Sequence, residues 1–288
     1  MRKTIIAASL ATAAFAVPNL AAAQAAAPAA AAPASPHTFT GNFTLASEYL
    51  YRGIAQTRGK PAVQGGFDYS HSSGLYVGTW ASNISWIQDG GPGNNAARTA
   101  SAPIEIDVYG GYKGTITGDF GFDVGVLTYN YPGSNKLGGA GKPDTTEIYG
   151  ALTYKWLSVK YSETTTSLFG FIKDDGVSKT KGSGYLDVTG TWDLGSGFGL
   201  TAHAGHQSIK GLTNGAYTDW KIGVTKDLGF GTVGVAYSAT NAKDSCATGA
   251  VAQPFCFGNV APTATTAAGA GAYSSGKDRL LLTFGKTF

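Results

Sequence analysis

From Phe39 to the carboxyl end, the chain alternates apolar and polar residues in short runs separated by connectors rich in Gly, Pro, Asn and Ser. A repeat of two puts successive side chains on opposite faces of an extended strand. The last run, Lys277 to Phe288, sets Leu280, Leu282, Phe284 and Phe288 on one face and Arg279, Thr283 and Thr287 on the other. The fourth opposes Ile104, Ile106, Val108 and Tyr112 to Glu105, Asp107 and Lys113. The first, Phe39 to Gly53, groups Phe39, Phe43, Leu45, Tyr49 and Tyr51 against Thr40, Asn42, Thr44, Glu48 and Arg52. Other strands are predicted over Ala62 to His71, Leu75 to Trp86, Phe120 to Tyr131, Thr146 to Trp156, Leu157 to Thr165 and Gly184 to Leu194. Phe198 to Gln207, Tyr217 to Asp227 and Thr232 to Thr240 complete a set of about twelve. An even number returns both chain ends to one side, as in single-chain bacterial barrels.

Connector lengths alternate as well. Ser72 to Gly74, Gly114 to Asp119, the Trp156/Leu157 junction, Gly195 to Gly197 and Leu228 to Gly231 are short. Ile87 to Pro103, Pro132 to Thr145, Ser167 to Ser183 and Asn241 to Gly276 are long. Ile54 to Pro61 and Ser208 to Ala216 are intermediate. A soluble sandwich has no reason to alternate in this way, whereas a membrane barrel has short periplasmic turns and long outer loops. The expected fold is therefore an all-β, transmembrane, antiparallel up-and-down barrel, with apolar faces to lipid and polar faces to the lumen. Aromatics near strand ends are expected to form interfacial girdles: Tyr49, Tyr51, Trp80, Trp86, Tyr129, Tyr131, Tyr154, Trp156, Phe198, Trp220, Phe230, Phe284 and Phe288.

Composition sharpens the picture. Gly supplies 42 of the 288 residues, beside 15 Tyr, 14 Phe and 5 Trp, and only 14% of residues are charged. Glycine at this level disfavours helices, and aromatics at this level disfavour disorder. Mean hydropathy is near neutral at −0.04. Arg2 and Lys3, the apolar run from Ile5 to Ala16 and the small residues ending at Ala23 have the layout of a cleaved signal peptide over 1–23. An uncharged Ala/Pro-rich leader over 24–37 follows, and the barrel is assigned to 38–288. With 21 basic against 18 acidic residues, two of the bases in the signal peptide, the mature chain is close to neutral and carries no nucleic-acid footprint. Cys246 and Cys256, ten positions apart in an exported chain, predict one local disulfide.

The amino-terminal strands resemble a known family. Ser47-Glu48-Tyr49 with Arg52-Gly53, Gln56-Thr57, Pro61-Ala62-Val63-Gln64-Gly65, Phe67-Asp68-Tyr69, Gly74-Leu75-Tyr76 and Trp80 with Ser82-Asn83 are similar to the signature of the TorF-like porins. Tyr131-Pro132-Gly133, Glu147-Ile148-Tyr149 and Lys286-Thr287-Phe288 extend the match. The resemblance implies an outer-membrane β-barrel of Gram-negative bacteria and, by family name, a pore. It also implies that the alternating last strand, with Phe284 and Phe288, is read by the barrel-assembly machinery. The cysteine-bearing loop from Asn241 to Gly276 departs from the family pattern.

Ionisable groups in a membrane-spanning chain must face water or one another. By parity the lumen should hold Glu48, Asp68, Glu105, Asp107, Asp123, Glu147, Asp187 and Asp219 against Arg52, Lys113, Lys155, Lys160, Lys221 and Arg279. Glu48 and Arg52 are expected to meet neighbouring charges, with Asp68 and Arg279 as candidates. His203 and His206 fall on opposite faces of one strand and cannot share an ion. No Gly-x-Ser-x-Gly motif marks a nucleophile, and no phosphate-cradling loop precedes a helix. The expected function is passive diffusion of small hydrophilic solutes through a mixed-charge lumen, without cofactor, metal or catalysis. The alternative is a closed barrel acting as a surface-structural or adhesin-type protein through its outer loops.

Overall fold

The structure, a computed structural model, describes residues 35–89, 102–134, 142–246, 253–257 and 272–288. The predicted signal peptide, nearly all of the leader and parts of three long connectors lie outside the described residues. In chain order the elements are β1 (His37–Ala46), β2 (Leu50–Tyr51), β3 (Ile54–Ala55), β4 (Ala62–His71), β5 (Leu75–Asn83), β6 (Ile104–Thr117), β7 (Phe120–Asn130) and β8 (Thr145–Tyr154). They continue with β9 (Leu157–Thr164), β10 (Gly184–Gly195), β11 (Phe198–Ser208), β12 (Tyr217–Asp227), β13 (Thr232–Thr240), β14 (Cys256–Phe257), β15 (Tyr273–Ser274) and β16 (Arg279–Thr287). Twelve of them close into an antiparallel up-and-down barrel in the order β1-β16-β13-β12-β11-β10-β9-β8-β7-β6-β5-β4.

Closure is made by the last strand, as its pattern predicts: Leu45 of β1 pairs with Phe284 of β16, and Val235 of β13 pairs with Leu282. Across the seam, Asn42–Ala46 of β1 pair with Thr283–Thr287 of β16, so no free edge is left along this stretch. Phe67, Val77, Val124, Ile148, Ile222 and Leu280 are exposed on the outer face, while their sequence neighbours point inward. The alternation therefore reads correctly as an apolar outside and a polar inside.

The ends of several strands differ from expectation. The first strand stops at Ala46, not Gly53, because the chain turns inward there; Tyr49 and Tyr51 leave the lipid face and are buried inside the mouth of the barrel. Trp80 and Tyr129 sit on the inward parity of β5 and β7, and Trp86 and Tyr131 lie in inward-folded connectors, so these four also leave the predicted girdle. Tyr154, Trp156, Phe198, Trp220, Phe230 and Phe288 do face outward and exposed. Lys155 belongs to the turn after β8, with a positive φ, and is not in the lumen. The Cys246–Cys256 disulfide is present, with 5.3 Å between the α-carbons.

Candidate functional site

The lumen has two unlike halves. At the end of the short turns, inward positions are Thr40, Thr153, Thr201, Thr225 and Thr283, half-buried and reached by solvent. Halfway up, charge appears in cross-strand pairs: Lys113 opposite Asp123, and Lys160 opposite Asp187. Tyrosines complete this belt. Tyr109 donates to Asp68 (2.6 Å), Tyr76 donates to Asp123 (2.6 Å) and also meets Tyr149, and the Lys160 ammonium lies 3.9 Å from the Tyr149 ring centre.

The glycine content has a geometric role here. A Cβ on Gly78, Gly111, Gly125 or Gly205 would collide with the rings of Tyr109, Tyr76, Tyr149 and Tyr185 respectively. Each tyrosine packs across the glycine of a neighbouring strand; the first three lie in this belt, while Tyr185 belongs to the packed outer half.

Toward the outer loops the lumen is packed shut. The connector after β1 folds inward as the β2–β3 hairpin, whose two-residue turn is Arg52-Gly53 with φ of 48° and 78°. Two consecutive left-handed residues make the tight primed turn that matches hairpin twist. Glycine suits it, but arginine does so at a cost, so Arg52 is held there by its side-chain contacts.

Those contacts are extensive. Arg52 Nη2 donates to Glu147 Oε2 (2.8 Å) and Nη1 to Glu147 Oε1 (3.1 Å), a two-point pair between groups almost wholly buried. Nη1 also donates to Gln207 Oε1 at 2.8 Å. The guanidinium carbon lies 4.1 Å from the Tyr185 ring centre and 4.8 Å from that of Tyr51. Burial pulls against the charge on Arg52, but the Glu147 carboxylate outweighs it and holds the guanidinium pKa above its ordinary value.

Around this tip the outer connectors form an aromatic plug. Trp86 packs edge-on against Tyr131, with ring centres 5.4 Å apart, and Phe169 packs edge-on against both Tyr51 and Tyr129 at 5.2 Å. Tyr49 and Tyr131 both donate to Glu105, each at 2.7 Å. Burial raises the pKa of Tyr49, Tyr51 and Tyr131 well above the ordinary phenol value, so they stay neutral donors. The remaining space among Tyr51, Trp86, Phe169, Gln207 and Phe257 is about 40 Å³, room for no more than a few waters. Glu48 accepts from Arg279 Nε (2.9 Å) and from the Gly59 amide (2.6 Å), tying the base of the connector to β16.

Thus Asp68, Glu105, Asp107, Lys113, Asp123, Glu147, Lys160, Asp187, Asp219 and Lys221 lie on inward parities of the wall, while Glu48 and Arg52 reach the same space from a loop. Of the expected partners, Glu48 does meet Arg279, whereas Arg52 meets Glu147 and not Asp68. Counting charges alone misses Tyr185, His203 and Gln207, which lie on the inward parity of β10 and β11. His203 is clamped between Asp187 (3.3 Å from Nδ1) and Asp219 (2.9 Å from Nε2), while His206 faces outward. The Tyr185 hydroxyl (3.1 Å from Nε2) and the Thr189 hydroxyl (3.1 Å from Nδ1) complete its surroundings. Among the described residues no group of three or more His, Cys, Asp or Glu is arranged to hold a metal ion.

Over residues 30–287 the chain matches the model of a family described as a bacterial protein of unknown function (Gcw_chp). A comparison with curated proteins returns no match. Among solved structures, the chain is similar to the KdgM porin (7% identity, 86% of this chain and 98% of that chain, TM-score 0.47). It is similar to the NanC porin (10%, 87% and 98%, TM-score 0.48) and to Pseudomonas aeruginosa OprD (13%, 88% and 66%, TM-score 0.38).

Proposed function

We propose that this chain, which belongs to the Gcw_chp family of bacterial proteins, is a non-enzymatic outer-membrane channel of the TorF-like porin type for small hydrophilic solutes. In this reading residues 1–23 direct export and are removed, and Phe284 and Phe288 mark the last strand for the barrel-assembly machinery. The inward charges of the middle belt then set a mixed-charge path with slight cation preference. The observation that carries the proposal is the pairing of a solvent-reached, threonine-lined inner lumen with a charged belt of flat-lying tyrosines.

The packed outer half means that passage requires the hairpin plug to move. It also favours a second reading, a closed barrel that presents its loops at the cell surface. Reconstitution in planar bilayers separates the two. A channel shows discrete, salt-dependent openings and a small reversal potential of cation-selective sign across a salt gradient; silence at every voltage, from protein shown to be folded, favours the closed barrel.

A further inference from the structure

Arg52 is the tip of a loop, but everything that grips its guanidinium except Tyr51 belongs to the barrel wall. Glu147 is supplied by β8, Tyr185 by β10 and Gln207 by β11, and all three are buried. Each of these groups also has wall contacts of its own, independent of the hairpin. Gln207 donates from Nε2 to the backbone carbonyls of Gly184 (3.0 Å) and Ser208 (3.1 Å), which fixes its Oε1 toward the lumen as an acceptor. Tyr129 donates to Glu147 Oε2 at 3.3 Å. The Tyr185 hydroxyl donates to Asp219 Oδ1 (2.9 Å), and the ring lies over Gly205, where no side chain fits beneath it.

A carboxylate engaging two nitrogens, a fixed amide oxygen and an aromatic face together make a receptor for a planar cation. We infer that the wall site of Glu147, Gln207 and Tyr185 is a binding site for solutes bearing a guanidinium or similar planar cation, and that Arg52 occupies it as a tethered stand-in for such a solute. The tether makes Arg52 a strong competitor, because its effective concentration at the site is in the millimolar range or above. An incoming guanidinium that captures Glu147 displaces the hairpin tip, so binding and unplugging become one event. This deepens the channel reading, on which its use in transport rests; binding itself is measured without conductance, so the two can fail separately.

The test is calorimetric titration of detergent-purified barrel with agmatine, using N-(4-aminobutyl)urea, which keeps the amine and replaces the guanidinium by a neutral urea, as control and heat-modifiable electrophoretic mobility as the check of folding. Arg52→Ala should bind agmatine saturably and at least tenfold more tightly than the unaltered protein, and should ignore N-(4-aminobutyl)urea. Adding Glu147→Gln to Arg52→Ala should abolish the binding. Folded Arg52→Ala that binds no agmatine overturns the inference. So does binding that survives Glu147→Gln, or binding equally tight in the unaltered protein. Should Arg52→Ala fail to assemble, Arg52→Met, which keeps much of the aliphatic stem, carries the same titration with the same outcomes.

Discussion

The inner and outer halves of the lumen are built from the same twelve strands and the same alternation, yet one is lined and the other is filled. In the inner half short side chains and glycine-backed tyrosines lie along the wall, and the strand connectors there are tight turns such as Ser72–Gly74. In the outer half the wall contributes Glu105, Glu147, Tyr185 and Gln207, and long connectors supply Tyr49, Arg52, Trp86 and Phe169 to cover them. The difference teaches that a strand pattern fixes which way side chains point, while loop length decides whether the space they enclose stays open.

The contrast should appear most strongly at Arg52. Arg52→Ala leaves Glu147 buried without its cation, and should lower stability by about 3–5 kcal/mol in urea titrations of the reconstituted barrel. Restoring neutrality with Arg52→Ala plus Glu147→Gln should recover part of that loss. By contrast, Thr225→Ala in the inner half should stay within about 0.5 kcal/mol. Next in size, Trp86→Ala removes the ring that packs on Tyr131 and Phe169, and should cost about 3 kcal/mol by the same measurement. Gly205→Ala sharpens the comparison from the wall side: the added methyl lifts Tyr185 off β11, at a cost of about 1–3 kcal/mol, and removes the ring face beneath Arg52. A small effect on stability is also expected in the middle belt. Lys113→Ala should change stability by less than about 1 kcal/mol, yet move the reversal potential toward stronger cation preference.

Most of the barrel was legible in the sequence because lipid imposes a strict rule on every second residue. Leu280, Leu282 and Phe284 announce the closing strand, and Ile104 to Lys113 announce β6. The plug was less legible for a specific reason: the parity of Phe43 and Leu45, interrupted only at Ala46-Ser47, resumes at Tyr49 and Tyr51, although the strand has already ended. Two signals pointed the other way. The run from Phe39 to Gly53 exceeds the ~9–11 residues that a spanning strand needs, and Arg52-Gly53 falls where a hairpin turn would. Trp80 and Tyr129 share parity with Ser82 and Asp123, so their inward direction was readable, but their nearness to strand ends suggested a girdle instead. Partnerships such as Arg52 with Glu147, 95 positions apart, follow from closure and lie beyond any local pattern.

In the channel proposed above, the hairpin tipped by Arg52 is what closes the lumen. Single-channel recording of the unaltered protein beside Arg52→Ala, in the same bilayer and salt, tests it most directly. Rare, brief openings are expected for the former and frequent, larger, sustained openings for the latter. Equal conductance and equal open time in the two, with both barrels folded, would contradict it.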